Sequence, residues 1–477
     1  MKNKTEKNKL HFLTKLSFGF GNLGYGAMGQ TVSSLIMFYG TSVLRLSGAL
    51  VGVIIAITSF WDGVSDPLVG YFSDKTKSRI FGRRLGHMLF ATFTLAINNV
   101  LLWSCPQSSN KGFVAMWLLV FLLLQETFNT FFATPYSALC IDIAPDYNDQ
   151  TNMQGFKTVF SIFGMILPSV LMSVFMPGGQ GQFERSGYVN IALVNSAIVI
   201  VCGLVAIFGT IRRVHAMPNY QFGLSEAHGE KHGFKKILLG YVETFKKKDF
   251  RVVMLGYSTC LVAMVFLSSV GMHLFTFCYH FSGLQISSLM ICLFGGAIVS
   301  QPIWVNVVKK YDKKQTLIFA LCIILFGIGF MAITFLFRTF CSQNLMFWFV
   351  APSLFFAGLG AGALYCLPHS MYADVVTMEQ IKTGQNNAGR YTGYYTFTYN
   401  FSNSIALLFV GLLLQLVGFN SAESVQTLDV QVGLGKIVFF GRAIALTIAI
   451  LIFSNYSLKR ADVLKVQIKE NERKNIE

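Results

Sequence analysis

The sequence predicts an all-α membrane protein of twelve transmembrane helices, arranged as two six-helix bundles related by pseudo-two-fold symmetry. Three observations predict it. Of 477 residues, 53% are hydrophobic and 13% charged, against roughly 25% charged in an ordinary soluble domain. Apolar segments of the ~20 residues needed to cross a bilayer recur twelve times along the chain. A single long hydrophilic stretch, from Arg212 to about Phe250, separates six of them from the other six.

The first span, 11–41, follows a polar start holding Lys2, Lys4, Lys7 and Lys9, and its apolar run is too long for a signal-peptide core. It is dense in glycine and polar residues, which must face protein rather than lipid. Spans 48–73, 86–105, 112–139, 155–177 and 190–211 complete the first half. The second half runs 251–280, 285–307, 315–337, 345–372, 391–418 and 433–455. The domains expected are therefore 1–211, a linker at 212–250 with a membrane-surface helix at 233–248, and 251–477. The halves echo each other. Ser65-Asp66-Pro67 in span two matches Ser300-Gln301-Pro302 in span eight, and Pro135-Tyr136-Ser137 matches Pro368-His369-Ser370. An internal repeat of this kind implies a site at the midplane between the halves.

The net charge of +16 would point to nucleic acid in a soluble protein. Here it sets orientation. Counting Lys157 with the cytoplasmic loop after span four, the cytoplasmic segments hold 32 Lys and Arg, whereas the opposite side holds six: Arg45, Lys111, Arg185, Arg338, Lys436 and Arg442. By the positive-inside rule both termini are cytoplasmic, and the partner is the lipid bilayer rather than nucleic acid. The nine cysteines form no CxxC pair and read as small core residues. No Walker loop, HExxH or nucleophile elbow stands in a loop context, so no enzyme and no cofactor are expected.

Against so few charges, acids inside spans stand out. Asp62 and Asp66 are four apart and share one helical face. Two carboxylates side by side in low dielectric need a cation, either a proton or a metal ion. On this reading no Lys or Arg lies within the span cores to neutralise them. Oxygen ligands suit sodium or a similar hard cation. Thr130 and Asn129 in span four, just before Pro135, are positioned to complete the shell. A structural pair bonded to a buried Arg or to helix amides is the alternative. Glu126, beside Gln125, is a further intramembrane carboxylate, expected either to titrate or to bond a neighbouring helix.

Several segments resemble one known family. Trp61-Asp62-Gly-Val-Ser65-Asp66-Pro67, with Ser73-Asp74-Lys75 and Gly82-Arg83-Arg84 after it, resembles the signature of the glycoside-pentoside-hexuronide:cation symporters, the melibiose-permease-like branch of the major facilitator superfamily. Lys15-Leu16-Ser17-Phe18-Gly19, Asp146-Tyr147-Asn148 and Ala373-Asp374-Val375 fit the same family. The resemblance implies a major facilitator fold, and a coupling cation, sodium or proton, held by Asp62, Asp66 and Thr130. It also implies gating through the loop residues Asp74, Arg79, Arg83 and Arg84 with acids such as Asp142 or Asp146. This chain departs from the galactoside carriers at the sugar site, where Gly26, Ala133 and Asn400 replace two Asp and a Lys. The groups left to contact a substrate are Asn22, Tyr25, Trp61, Glu126, Tyr136, Tyr395, Tyr399 and Asn400. Aromatic faces with hydroxyl tips suit sugar rings and equally an amphipathic solute. His273, His280 and His369 read as satisfied polar contacts.

The expectation is a monomeric cation-coupled symporter of a small organic solute, a glycoside first, in the cell membrane. The alternatives are an amphipathic non-sugar solute, lysolipid- or steroid-like, and a solute sensor that transports nothing.

Overall fold

The computed structural model describes residues 10–458, apart from 77, 79, 83, 145–146, 177–180, 217–233, 384–387, 421–422 and 424. The side chains of 67, 71, 74–75, 141, 147–148, 150–151, 234–239, 383 and 388–390 are also outside the description.

All regular secondary structure among the described residues is helical. In chain order the helices are α1 (Phe12–Phe38), α2 (Gly48–Lys75), α3 (Leu85–Trp103), α4 (Lys111–Ile143), α5 (Tyr147–Phe175) and α6 (Arg185–His215). Then follow α7 (Phe234–Lys246), α8 (Lys248–His273), α9 (Gly283–Lys310), α10 (Lys313–Leu336), α11 (Gln343–Leu364), α12 (Leu367–Thr383), α13 (Ala388–Leu416) and α14 (Leu428–Ser454). Local chemistry sets several starts. Ser47 accepts a hydrogen bond from the Leu50 N–H and Asn110 accepts from Gly112 and Phe113, so each caps the helix that follows.

Among the described residues eleven segments are long and apolar enough to cross a membrane, one fewer than the twelve spans expected. The difference is α1, whose 27 residues reach about 40 Å but include five glycines and several polar residues. Its composition follows from its packing. A Cβ on Gly24 would lie 3.0 Å from Val199 Cα of α6, and one on Gly164 of α5 would lie 2.9 Å from the Ala27 amide, so the three backbones approach too closely for larger residues.

A second difference lies in span ten, expected as one run over 345–372. It is broken at Tyr365–Cys366 into α11 and α12, and α12 continues to Thr383. Pro368 explains the break. It has no N–H to give the preceding turn, but is tolerated in the first turn of a new helix.

The chain forms two compact units, the first built on α1–α6 and the second on α7–α14, with the short segments 282–288 and 420–423 grouping with the first. In the first, α1 packs against α5 and α6, α3 against α4 and α6, and α2 against α4. In the second, α8 packs against α13 and α14, and α10 against α11 and α14. The repeat extends to backbone detail. α1 ends in a wide π turn, Tyr39–Val43, and α8 in another, Leu274–Cys278. Each is followed by a non-glycine residue at φ 57°, Arg45 and His280, and then by the starts of α2 and α9 at Gly48 and Gly283. All nine cysteines are free; Cys105, Cys140, Cys202, Cys260 and Cys278 are buried as core residues, whereas Cys322 and Cys366 are exposed, so the core reading fails for those two.

Candidate functional site

Asp62 lies near the middle of α2, about 20 Å from either end by helical rise. Helix α4 runs beside it in parallel register, so residues 68 positions apart meet. The Thr130 hydroxyl lies 3.3 Å from Asp62 Oδ1, and the Thr134 hydroxyl 3.5 Å from Asp66 Oδ1. Two acids four apart on one helix therefore face two threonines four apart on the other. Ser65 Oγ lies 3.0 Å from Thr130 Oγ1 and 3.1 Å from the Asp62 carbonyl. Thr130 Oγ1 also lies 3.1 Å from the Glu126 carbonyl. One hydroxyl proton serves only one of these acceptors at a time, which leaves oxygen lone pairs for a cation.

Glu126 joins the same seam. It stands one turn before Thr130 on α4, and Asn129 Nδ2, three residues on, lies 3.4 Å from the Tyr25 hydroxyl of α1. Trp61, 37% exposed, donates from its indole nitrogen to Thr127 Oγ1 at 2.9 Å. The structure thus brings Tyr25, Trp61, Asp62, Asp66, Glu126 and Thr130 to one α2–α4 surface of the first unit. Ser65 and Thr134 belong to it and were missed. The signal for Thr134 was its four-residue spacing from Thr130, which repeats that of the two acids. Among the described residues no group of three or more His, Cys, Asp or Glu has metal-site geometry. The donor set is two carboxylates plus hydroxyl and carbonyl oxygens, a hard all-oxygen set of the kind that suits a cation such as sodium.

The remaining first-unit residues form a second cluster. Tyr136 is buried, stacked on Phe18 with ring centroids 4.3 Å apart, and its hydroxyl donates to the Phe18 carbonyl at 2.5 Å. That hydroxyl is committed to packing α4 on α1. Asn22 is held likewise, donating to the Lys157 carbonyl at 3.0 Å. Lys157 itself corrects the sequence reading. It sits ten residues into α5 rather than in a loop, with Nζ 3.0 Å from Ser137 Oγ and 5.2 Å from the centre of the Tyr136 ring. It is in no ion pair among the described residues. Arg442 corrects the same reading, being buried midway along α14. Lys436 is also in α14, on its exposed side.

Tyr395, Tyr399 and Asn400 lie on α13 in the second unit. Tyr395 is buried between Tyr257 and Tyr372, at centroid distances of 5.4 and 4.4 Å, and its hydroxyl is 3.3 Å from His369 Nδ1. Tyr399 packs edge-on against Tyr257 at 5.6 Å. The Asn400 carbonyl accepts from Ser404. His369 is held between the hydroxyls of Tyr257 and Tyr395. His273 is fully buried.

Of the residues expected to gate, Arg84 and Asp142 form an ion pair at 2.5 Å, and Arg84 Nη1 is 3.4 Å from Ser73 Oγ. Arg79, Arg83, Asp146 and the Asp74 side chain lie outside the described residues. The second unit has a counterpart in Lys313–Asp374, also 2.5 Å. Lys15–Asp149 at 2.6 Å is matched by Lys247–Glu379.

A family model described as MFS/sugar transport protein matches residues 17–460. The chain belongs to that family. Within it, an uncharacterized symporter of Synechocystis sp. is 23% identical over 86% of this chain and 87% of the relative. The sodium-dependent lysophosphatidylcholine symporter 1 of Xenopus tropicalis is 21% identical over 95% of this chain and 88% of its own length. Among solved structures, a D-xylose-proton symporter superposes with a TM-score of 0.67 at 14% identity, covering 94% of this chain and 98% of that one. The fold of this MFS/sugar transport family member is the major facilitator fold, and the protein is a multi-pass membrane protein.

Proposed function

We propose that this protein is a cation-coupled symporter whose solute is amphipathic, with an anionic or zwitterionic head of the lysophospholipid kind. The observation that carries the coupling is the double pairing of Asp62 with Thr130 and Asp66 with Thr134 across the α2–α4 seam. A cation bound there replaces proton-poor hydroxyl contacts with direct oxygen ligation and draws the two helices together. Coupling follows because any change of solute affinity on cation binding is matched by the reverse effect.

Two things favour the amphipathic solute over the glycoside expected first. Lys157 places an ammonium beside Ser137, over an aromatic face and outside any described ion pair, where it supplies a charge-assisted bond to a phosphate or carboxylate. The similarity to a sodium-dependent lysophosphatidylcholine symporter extends over 95% of the chain. On this reading the chain departs from the galactoside carriers at Gly26 and Ala133 because its solute is not gripped by carboxylates. Both termini lie in the cytoplasm, in keeping with the charge asymmetry.

The test is uptake into sealed proteoliposomes of lysophosphatidylcholine, a free galactoside and a neutral monoacylglycerol, each under an inward sodium or proton gradient. Sodium-driven uptake of the lysolipid, with little galactoside or monoacylglycerol, is expected. Gradient-driven galactoside uptake with none of the lysolipid would overturn the solute, and flux indifferent to both gradients would overturn the coupling.

A further inference from the structure

The second unit contains a charge that no described residue pairs with. Arg442 lies fourteen residues after the start of α14 and twelve before its end, about 18–21 Å from either terminus by helical rise. The residue is 2% exposed. Its Nε is buried without a hydrogen-bond partner, and among the described residues Arg442 enters no ion pair and lies over no aromatic ring. The residues flanking it on α14 pack on apolar side chains. Gly441 beside it packs on Phe266 of α8, and Phe439 packs on Phe335 of α10 at 5.3 Å. A guanidinium stays protonated in proteins, so the group is a fixed positive charge at mid-membrane depth, where an unbalanced charge is costly.

The helices of the second unit offer it no free counter-ion. No Asp or Glu occurs between Asp249 and Asp312, between Asp312 and Asp374, between Glu379 and Glu423, or from Asp429 to the end of α14. Of these acids, Asp374 and Glu379 lie within α12 and are already paired with Lys313 and Lys247, and the others described stand near helix ends or in the connections. Asp429 is second in α14, Asp249 second in α8, and Asp312 caps α10. Ordered water would hydrate the guanidinium but leave its charge uncompensated.

We infer that Arg442 holds a small monovalent anion of halide size inside the second unit, at the apolar surface where α14 meets α8 and α10. The near-complete burial of the residue limits the anion to one or a few atoms. The site lies on helices that contribute none of the cation or solute contacts proposed above, so its role is to balance charge within the bundle rather than to carry cargo.

The test uses the purified full-length protein at constant sodium and ionic strength, with gluconate replaced stepwise by chloride, and separately by phosphate. A saturable rise in melting temperature of about 2–4 °C is expected with chloride, and none with phosphate. Arg442→Met and Arg442→Gln should lose the chloride response while keeping the sodium response. Arg442→Met should also melt no lower than the wild type in gluconate, since an apolar side chain of similar volume replaces an unbalanced charge. Should neither variant fold, crystals of the wild type in sodium bromide give the same answer, with an anomalous peak beside the guanidinium. A wild-type melting temperature indifferent to chloride, a chloride response that survives Arg442→Met, stabilisation by phosphate in place of chloride, or no bromide peak at Arg442 would each overturn the inference.

Discussion

The Gln301 side chain donates to the carbonyl of Gly362 at 2.9 Å, at the place in α9 that Asp66 occupies in α2. The Ser-Asp-Pro of the first unit and the Ser-Gln-Pro of the second stand at equivalent points of equivalent helices. In one the helix-to-helix contact is a carboxylate facing threonine hydroxyls, and in the other an amide bonded to backbone. Gene duplication of a fold need not duplicate its chemistry, because a single acid-to-amide change removes the charge that a cation requires. Asp66→Asn should therefore abolish sodium-stimulated uptake. Gln301→Ala should leave the sodium dependence intact and lower stability by about 0.5–1.5 kcal/mol, the worth of one hydrogen bond. Transport against sodium concentration, with thermal unfolding of the same samples, checks both.

Thr130 and Thr134 separate a role for the hydroxyl from one for the methyl group. Thr130→Val keeps the shape and removes the oxygen, and a loss of about 1.4 kcal/mol in cation binding is a tenfold rise in the sodium concentration for half-maximal uptake. Thr130→Ser should stay close to wild type. Equal impairment in both variants would assign Thr130 to packing alone.

Lys157 has a matching pair of substitutions. Lys157→Met should lower affinity for a lysolipid with a phosphate head by about 10- to 100-fold, the range for a bond to a charged group, and leave sodium binding unchanged. Lys157→Arg should retain most of the affinity. Competition by a neutral monoacylglycerol should be the same in all three proteins.

The Arg84–Asp142 ion pair joins the start of α3 to the end of α4, and Lys313–Asp374 joins α10 to α12 in the same way. A double-mutant cycle with Arg84→Gln and Asp142→Asn should give a coupling of about 0.5–3 kcal/mol in unfolding. If the pair also gates transport, the single variants should change the maximal rate more than the half-saturating solute concentration.

Gly164 tests the packing of α1 on α5. A Cβ there would meet the Leu23 carbonyl and the Ala27 amide, both backbone atoms that cannot rotate away. Gly164→Leu should lower stability by at least the ~1–3 kcal/mol typical of overpacking, seen as a lower melting temperature and reduced yield of folded protein. A melting temperature equal to the wild type would show that the crossing is looser than these distances.

The sequence determined the all-helical membrane class, the repeat and the place of most spans, and it singled out the acids of the proposed cation site, because hydrophobic runs, proline positions and intramembrane charges are local properties read one helix at a time. Even the α2 motif was legible, since i and i+4 share a face on any helix. What only the tertiary structure decided was which side chains meet across helices. Thr134 became a partner of Asp66 through the parallel register of α2 and α4. Tyr136 proved to be a packing residue because Phe18 takes its hydroxyl. Lys157 and Arg442, counted among loops for their charge, turned out to lie within helices. Hydropathy averages over a window, so one cation in a long apolar run is assigned to the nearest boundary. Whether it faces water, lipid or protein depends on the rotation and neighbours of the helix that carries it.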